Sequence, residues 1–224
     1  MIDWGPLLLT FKLAFITTGI LLILGVPLSY WLSQTKWRGK PILESLVSMP
    51  LVLPPTVLGF YILVTFSPNG TLGQWLIENL GLQLVFSFEG LIFASVIYSL
   101  PFMVQPIQAG FSNLPASLSE ASYLLGKSKK QTLFKVLLPN IKPSLLSGIV
   151  LAFAHTIGEF GVVLMIGGNI PGKTQVASIA IYEEVELLNY DAANIYSLIL
   201  FIISFSILLL VYLINGGYLK RIVK

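Results

Sequence analysis

The sequence contains no cysteine among its 224 residues. That excludes a disulfide framework, a thiolate metal site and a cysteine nucleophile. Charge is scarce as well. Asp, Glu, Lys and Arg together make up 10% of the chain, against about 25% in an ordinary soluble domain. His155 is the one histidine, too few for a histidine metal site. The start, Met1-Ile2-Asp3-Trp4, lacks the basic segment of a cleaved signal peptide, so the apolar run after it reads as a retained helix.

Apolar residues fill the chain instead. They account for 55% of it, the mean hydropathy is +0.86, and they fall in long blocks. The expected class is an all-α, polytopic transmembrane helical bundle. It would form one domain over residues 1–224, with short loops and no second soluble domain. A helix crossing the hydrocarbon core needs about 20 largely apolar residues. Five segments qualify: Leu7 to Trp31, Leu43 to Phe66, Gly90 to Gly110, Pro143 to Ile166 and Ala192 to Gly216. The second is interrupted by Pro50, Pro54 and Pro55.

Basic residues set the orientation, because cytoplasmic loops collect Lys and Arg. Lys36, Arg38 and Lys40 lie between spans one and two. Lys127, Lys129, Lys130, Lys135 and Lys142 lie between spans three and four, and Lys220, Arg221 and Lys224 follow span five. These are eleven of the 13 basic residues, in alternate connections. The other connections carry Glu78, Glu89, Glu183, Glu184, Glu186 and Asp191, with Lys173 as the one basic residue. The N-terminus is therefore expected outside and the C-terminus in the cytoplasm.

The longest cytoplasmic connection, about residues 111–142, has helices written into it. Asn113 can cap a helix with Pro115 in its first turn. That helix carries Leu118, Ala121, Leu124 and Leu125, and Gly126 ends it as a residue able to take positive φ. Ser128 with Gln131 forms a capping box for a second helix bearing Leu133, Phe134, Leu137 and Leu138, which is expected to stop at Pro139. Glu120-Ala121-Ser122, three residues, Gly126, nine residues, Val136, then Leu138-Pro139 resembles the EAA signature of bacterial ABC importer permeases. Ser122 in place of the second alanine is the one departure. The resemblance implies the type I ABC importer transmembrane fold in a bacterial or archaeal cytoplasmic membrane. It also implies that Glu120, Ala121, Ser122, Gly126, Leu138 and Pro139 belong to the element that docks on a separate ATPase. Small side chains there let a partner's backbone approach, and Glu120 can pair with an arginine.

Two further stretches resemble the molybdate permeases of the ModB type: Met49 to Phe60 in span two, and Gly158-Glu159-Phe160-Gly161 with Gly168 to Thr174 in and after span four. Tungstate and sulfate permeases share parts of both, so tungstate, sulfate or another oxyanion is the alternative cargo. By resemblance the partners are two copies of an ABC ATPase, an external oxyanion-binding protein and a second copy of this chain, all within membrane lipid. Neither a cofactor nor nucleic acid is expected.

Within the spans, candidate pathway or gate residues are Pro54, Pro55, Thr56, Ser147, His155, Thr156 and Glu159. Pro54-Pro55 removes two backbone donors and bends its helix. Glu159, the one carboxylate well inside a span, has two readings: a hydrogen-bonding residue in a Gly-rich bend, or part of an external gate. His155 is either a satisfied interior histidine or a donor to a passing anion, with Thr56, Ser147 and Thr156 adding hydroxyls. No Lys or Arg lies at mid-membrane, which suits brief passage of an anion over tight binding.

Gly167 to Thr174 satisfies the phosphate-binding pattern Gly, four residues, Gly, Lys, Thr. It follows an expected membrane helix and lacks the strand such a loop requires, so no nucleotide site is expected. ATP hydrolysis would fall to another chain. An ion-coupled secondary transporter is the alternative class, but the ionisable residues and internal repeats expected of one are not apparent. A membrane enzyme would need more acids or histidines at one depth than His155 and Glu159 supply.

Overall fold

The computed structural model describes residues 3–215, and every regular element among them is helical. Three helices are each long and apolar enough to cross a bilayer: α1 (Gly5–Gln34), α5 (Phe88–Ser112) and α12 (Tyr190–Asn215). They contain the expected spans one and three, and span five as far as Asn215. Gly216, where span five is expected to end, and the basic residues Lys220, Arg221 and Lys224 lie outside the described residues, as do Met1 and Ile2.

Span two is not one helix. α2 (Lys40–Ser48) continues into a 3₁₀ turn (Met49–Leu51), and the chain then turns through 108° into α3 (Pro55–Thr65). The cause is local. A residue before proline is pushed out of the helical region, and Pro54, before Pro55, sits at φ −54°, ψ 135°. Pro55 then starts α3 in the first-turn position that tolerates it. The expected kink is thus a corner. α2 turns its polar edge to α5: Gln108 donates to Glu44 at 2.6 Å and Gln105 to Ser48 at 3.0 Å. Ile42 and Leu46 on its other side stay exposed.

Span four is also divided, where one helix is expected. α9 (Lys142–Gly158) stops, Glu159 is extended (φ −69°, ψ 132°), and α10 (Gly161–Gly167) begins. Gly158 and Gly161 weaken helix on both sides of the break. The Glu159 carboxylate then caps the new helix, accepting from the Val162 N–H at 2.8 Å. Beyond it lies α11 (Ala177–Glu186), and Ser178 of α11 donates to the Glu159 carbonyl at 2.6 Å. After α3, the short helix α4 (Thr71–Leu80) precedes α5.

Packing is closest where side chains vanish, as expected when van der Waals contact drives helix association in lipid. A Cβ on Gly59 would lie 2.7 Å from Met165 and 3.2 Å from the Val162 Cα; one on Gly161 would lie 2.7 Å from Pro55. The half-helices α3 and α10 therefore cross backbone to backbone. One apolar core joins Leu13, Ile62, Leu91, Val162, Ile166 and Ile179 at that level. A second joins Leu21, Met103, Ile107, Leu137, Ile141 and Ala152. The small-residue pair Ser144 and Gly148 faces this chain's own α5, against Gly110 and the Met103 carbonyl.

Between α5 and α9 the chain forms a hairpin of α6 (Ala116–Leu124), α7 (Lys129–Thr132), a π turn (Leu133–Leu137) and α8 (Leu138–Asn140). The capping box is present: Ser128 Oγ accepts from the Gln131 N–H, and Gln131 Oε1 from the Ser128 N–H. Gly126 makes the reversal at φ +70°. Two expectations are corrected. Asn113 does not cap α6; it terminates α5, and Pro115, extended, precedes α6. Pro139 does not stop the second helix. The wide π turn starts a fresh turn at Leu138, where a proline's missing N–H has no intrahelical partner to lose. The chain then bends 80° into α9.

Candidate functional site

The hairpin presents a mixed apolar and basic tip. Glu120 and Ala121 are exposed on α6, and Leu124 and Leu125 at its end are 89% and 77% exposed. Lys127, Lys129, Lys130 and Lys135 are exposed around them. Of the apolar residues that the sequence puts on this helix, Leu124 and Leu125 project from the tip. A Cβ on Gly126 would have no atom within 4 Å, so the role of this glycine is conformational: its φ lies where a side chain costs about 1–2 kcal/mol.

Ser122 does not belong to the exposed face. It is 4% exposed, and its hydroxyl lies 2.9 Å from that of fully buried Thr132. The pair joins α6 to α7 from inside. Nothing local in the sequence marks Thr132 as a partner ten residues away across a turn. Leu138 is half-buried against the inner core, and Pro139 is exposed at the start of α8. Glu120, Ala121, Gly126 and Pro139 therefore form the accessible part of the signature, while Ser122 and Leu138 hold it in shape.

The pathway candidates separate into three places. Pro54, Pro55 and Thr56 come together with the Glu159 break, since Gly161 packs on Pro55 and its added Cβ would lie 3.5 Å from the Thr56 nitrogen. Thr56 is exposed there, and Glu159 is 6% exposed with its carboxylate turned to the α10 main chain. That geometry carries the first of the two readings of Glu159, a hydrogen-bonding residue in the bend.

His155 and Thr156 lie within α9 and join α5. The Ser99 hydroxyl is 2.9 Å from His155 Nδ1 and 3.1 Å from Thr156 Oγ1, and Thr156 Oγ1 donates to the Ala152 carbonyl at 2.8 Å. Each hydroxyl has one proton. Thr156 uses its proton on Ala152, so Ser99 donates to Thr156 and receives from His155 Nδ1–H. The ring N–H is thus committed inside the bundle, which is the geometry of the first of the two readings, a satisfied interior histidine. Phe102 stacks on the imidazole at 3.9 Å between centroids, and Tyr98 flanks it at 4.9 Å. Ser99, Phe102 and Tyr98 leave no mark in the sequence because they lie more than fifty positions away on another helix. Ser147 is in neither group: it lines a surface groove with Leu151, Leu208 and Tyr212 of α9 and α12.

The Gly167 to Thr174 loop follows a helix, and its own groups fill it. Thr174 Oγ1 donates to the Gly167 carbonyl at 2.8 Å and accepts from the Ile170 N–H at 3.1 Å. Among the described residues there is no strand to precede it. The likeness to a nucleotide loop is one of sequence only.

Residues 25–224 match the family of binding-protein-dependent transport system inner membrane components. The molybdenum transport system permease protein ModB of Azotobacter vinelandii is 45% identical over 211 residues, 94% of this chain and 93% of that one. A putative molybdenum transport system permease of Bacillus subtilis strain 168 is 34% identical, covering 91% of this chain and 89% of its own length. The sulfate transport system permease CysT of Escherichia coli K12 is 30% identical over 90% of this chain and 72% of its own. Among solved structures, the inward-facing MetNI methionine ABC transporter superimposes with a TM-score of 0.71 at 16% identity, over 95% of this chain and 94% of that one. A bacterial ABC transporter importing alginate superimposes with a TM-score of 0.73 at 16% identity, over 97% and 80%. The fold is that of an ABC importer permease.

Proposed function

The chain belongs to the family of binding-protein-dependent transport system inner membrane components, and from that premise we propose that it is the permease subunit through which an ABC importer passes molybdate. The observation that carries this reading is the 45% identity, across nearly the whole of both chains, to a permease named for molybdenum transport. Sulfate is the second reading, supported by relatives at 30–35% identity that are named sulfate permeases.

The working unit is a pair of these chains with two ATPase subunits and an external binding protein. Its N-terminus lies outside and its C-terminus in the cytoplasm. Residues 111–142 form the coupling element. Leu124, Leu125, Glu120 and Ala121 enter the ATPase, and Ser122 with Thr132 makes the hairpin stiff enough to transmit its motion. The 80° junction with α9 passes that motion to the helix bearing His155, and from there to the break at Glu159. The crossing of α3 and α10 forms the gate wall, with Pro54, Pro55 and Thr56 at its corner. At this point the Glu159 carboxylate is buried and turned to the α10 main chain, Oε1 accepting from the Val162 N–H.

The test is reconstitution of the chain with its ATPase in proteoliposomes, with binding protein loaded in turn with molybdate, tungstate and sulfate. The expected result is ATP-dependent uptake and ATPase stimulation with molybdate at least tenfold above sulfate. Equal or greater uptake of sulfate would transfer the assignment to the second reading, and uptake without any ATPase would end both.

A further inference from the structure

Lys12 is a cation inside an apolar helix, and nothing acidic meets it. Its ammonium lies over the Phe88 ring, 4.7 Å from the centroid. Among the described residues the one ion pair is Lys40 with Glu44, so no carboxylate lies within ion-pair distance of Lys12. It faces away from the bundle, on a stripe with Leu8, Phe15 and Ile23, which are 69%, 66% and 73% exposed. Starting at Phe11, its neighbour in the chain, α1, α9 and α12 frame a groove of about 530 Å³ lined by Phe11, Phe15, Gly19, Leu22, Phe153 and Ile207. Phe15 and Phe153 flank it with their rings 4.9 Å apart.

We propose that this groove holds one phospholipid of the leaflet on the Lys12 side, its phosphate on Lys12 and one acyl chain along the groove. Three features favour a phospholipid over a protein helix. The groove descends along α1 from Phe11 to Leu22, about 16 Å of helix rise and so about half of the roughly 30 Å hydrocarbon core. Its charge stands at the end where a headgroup lies and its remaining length is apolar. Side chains on a helix lean toward its N-terminus, so Lys12 reaches outward to the headgroup plane and its stem stays in the apolar layer. Phe88 holds the ammonium while leaving its outer side open. The lipid would wedge α1 against α9, on the back of the helix whose other side bears His155. This inference rests on the chain spanning a membrane and not on which anion it carries.

Gly19 allows a test that does not risk the fold, because nothing lies within 4 Å of where its Cβ would be. Gly19→Leu fills the groove and also favours helix. The full complex with its ATPase is purified in mild detergent, delipidated by washing, and offered dioleoyl phosphatidylglycerol or the dioleoyl diacylglycerol, which lacks the phosphate. Retention is read by native mass spectrometry. Wild type is expected to keep one phosphatidylglycerol per chain. Gly19→Leu is expected to lower retention of both lipids at least fivefold with an unchanged melting temperature. Lys12→Gln is expected to lower phosphatidylglycerol at least fivefold and leave diacylglycerol as it was. Equal retention by wild type and Gly19→Leu overturns the proposal. So does a Gly19→Leu protein that keeps its lipid but no longer pairs with its second copy, since the groove would then be an interface between chains.

Discussion

Ser122 and Thr132 hold each other's hydroxyls in a place water does not reach. Removing one leaves the other buried with its partner gone, a loss of about 1–3 kcal/mol, whereas removing both is closer to neutral. Ser122→Ala or Thr132→Val alone is therefore expected to lower the melting temperature of the detergent-solubilised protein, and the double variant to recover most of that loss. Additive losses would mean that the contact is incidental. Glu159 makes a similar case at the break in span four. Glu159→Ala frees the buried Val162 N–H and is expected to cost about 1–3 kcal/mol. Glu159→Gln keeps an oxygen where Oε1 accepts and is expected to unfold near wild type and transport normally. Loss of transport in Glu159→Gln at wild-type stability would show that the charge itself acts in the gate.

At the scale of elements, Gly126 decides whether the hairpin keeps its shape. Open space surrounds it, so a substitution there acts through the backbone alone. Gly126→Val, β-branched and disfavoured at φ +70°, is expected to reduce transport at least tenfold while leaving membrane insertion intact; Gly126→Asn, whose side chain tolerates that region, is expected to keep most of it. Uptake together with ATPase activity separates coupling from folding, and equal behaviour of the two variants would remove Gly126 from the coupling account. The elements most legible in the sequence are those fixed by local chemistry. α1, α5 and α12 announce themselves by apolar length, and the hairpin by Ser128, Gln131 and Gly126. The break after Gly158 is legible only as a Gly-rich bend at Glu159; that it divides the helix is not. It depends on the crossing of Gly161 with Pro55 and on Ser178 of α11, contacts that join distant parts of the chain. The Ser99 bridge to His155 is hidden for the same reason, and Pro139 misleads because a π turn has no sequence signature of its own.

Across the whole molecule, charge and shape make one claim about direction. The hairpin of α6, α7 and α8 carries Lys127, Lys129, Lys130 and Lys135 at one end of the bundle, and α11 carries Glu183, Glu184 and Glu186 beyond the Glu159 break in span four. Under the proposed orientation, in which Lys and Arg mark the cytoplasmic side, the hairpin lies where ATP is and the Gly168 to Thr174 loop where a binding protein would dock. With no cysteine in the sequence, single-cysteine variants need no background removed. Asn169 and Lys130 are both exposed, so neither substitution disturbs packing. Asn169→Cys is expected to react with a membrane-impermeant maleimide on intact spheroplasts, and Lys130→Cys only after the membrane is opened. The reverse pattern would place the hairpin on the face without ATP, and coupling through Leu124 and Leu125 would then be physically impossible however well the family signature matches.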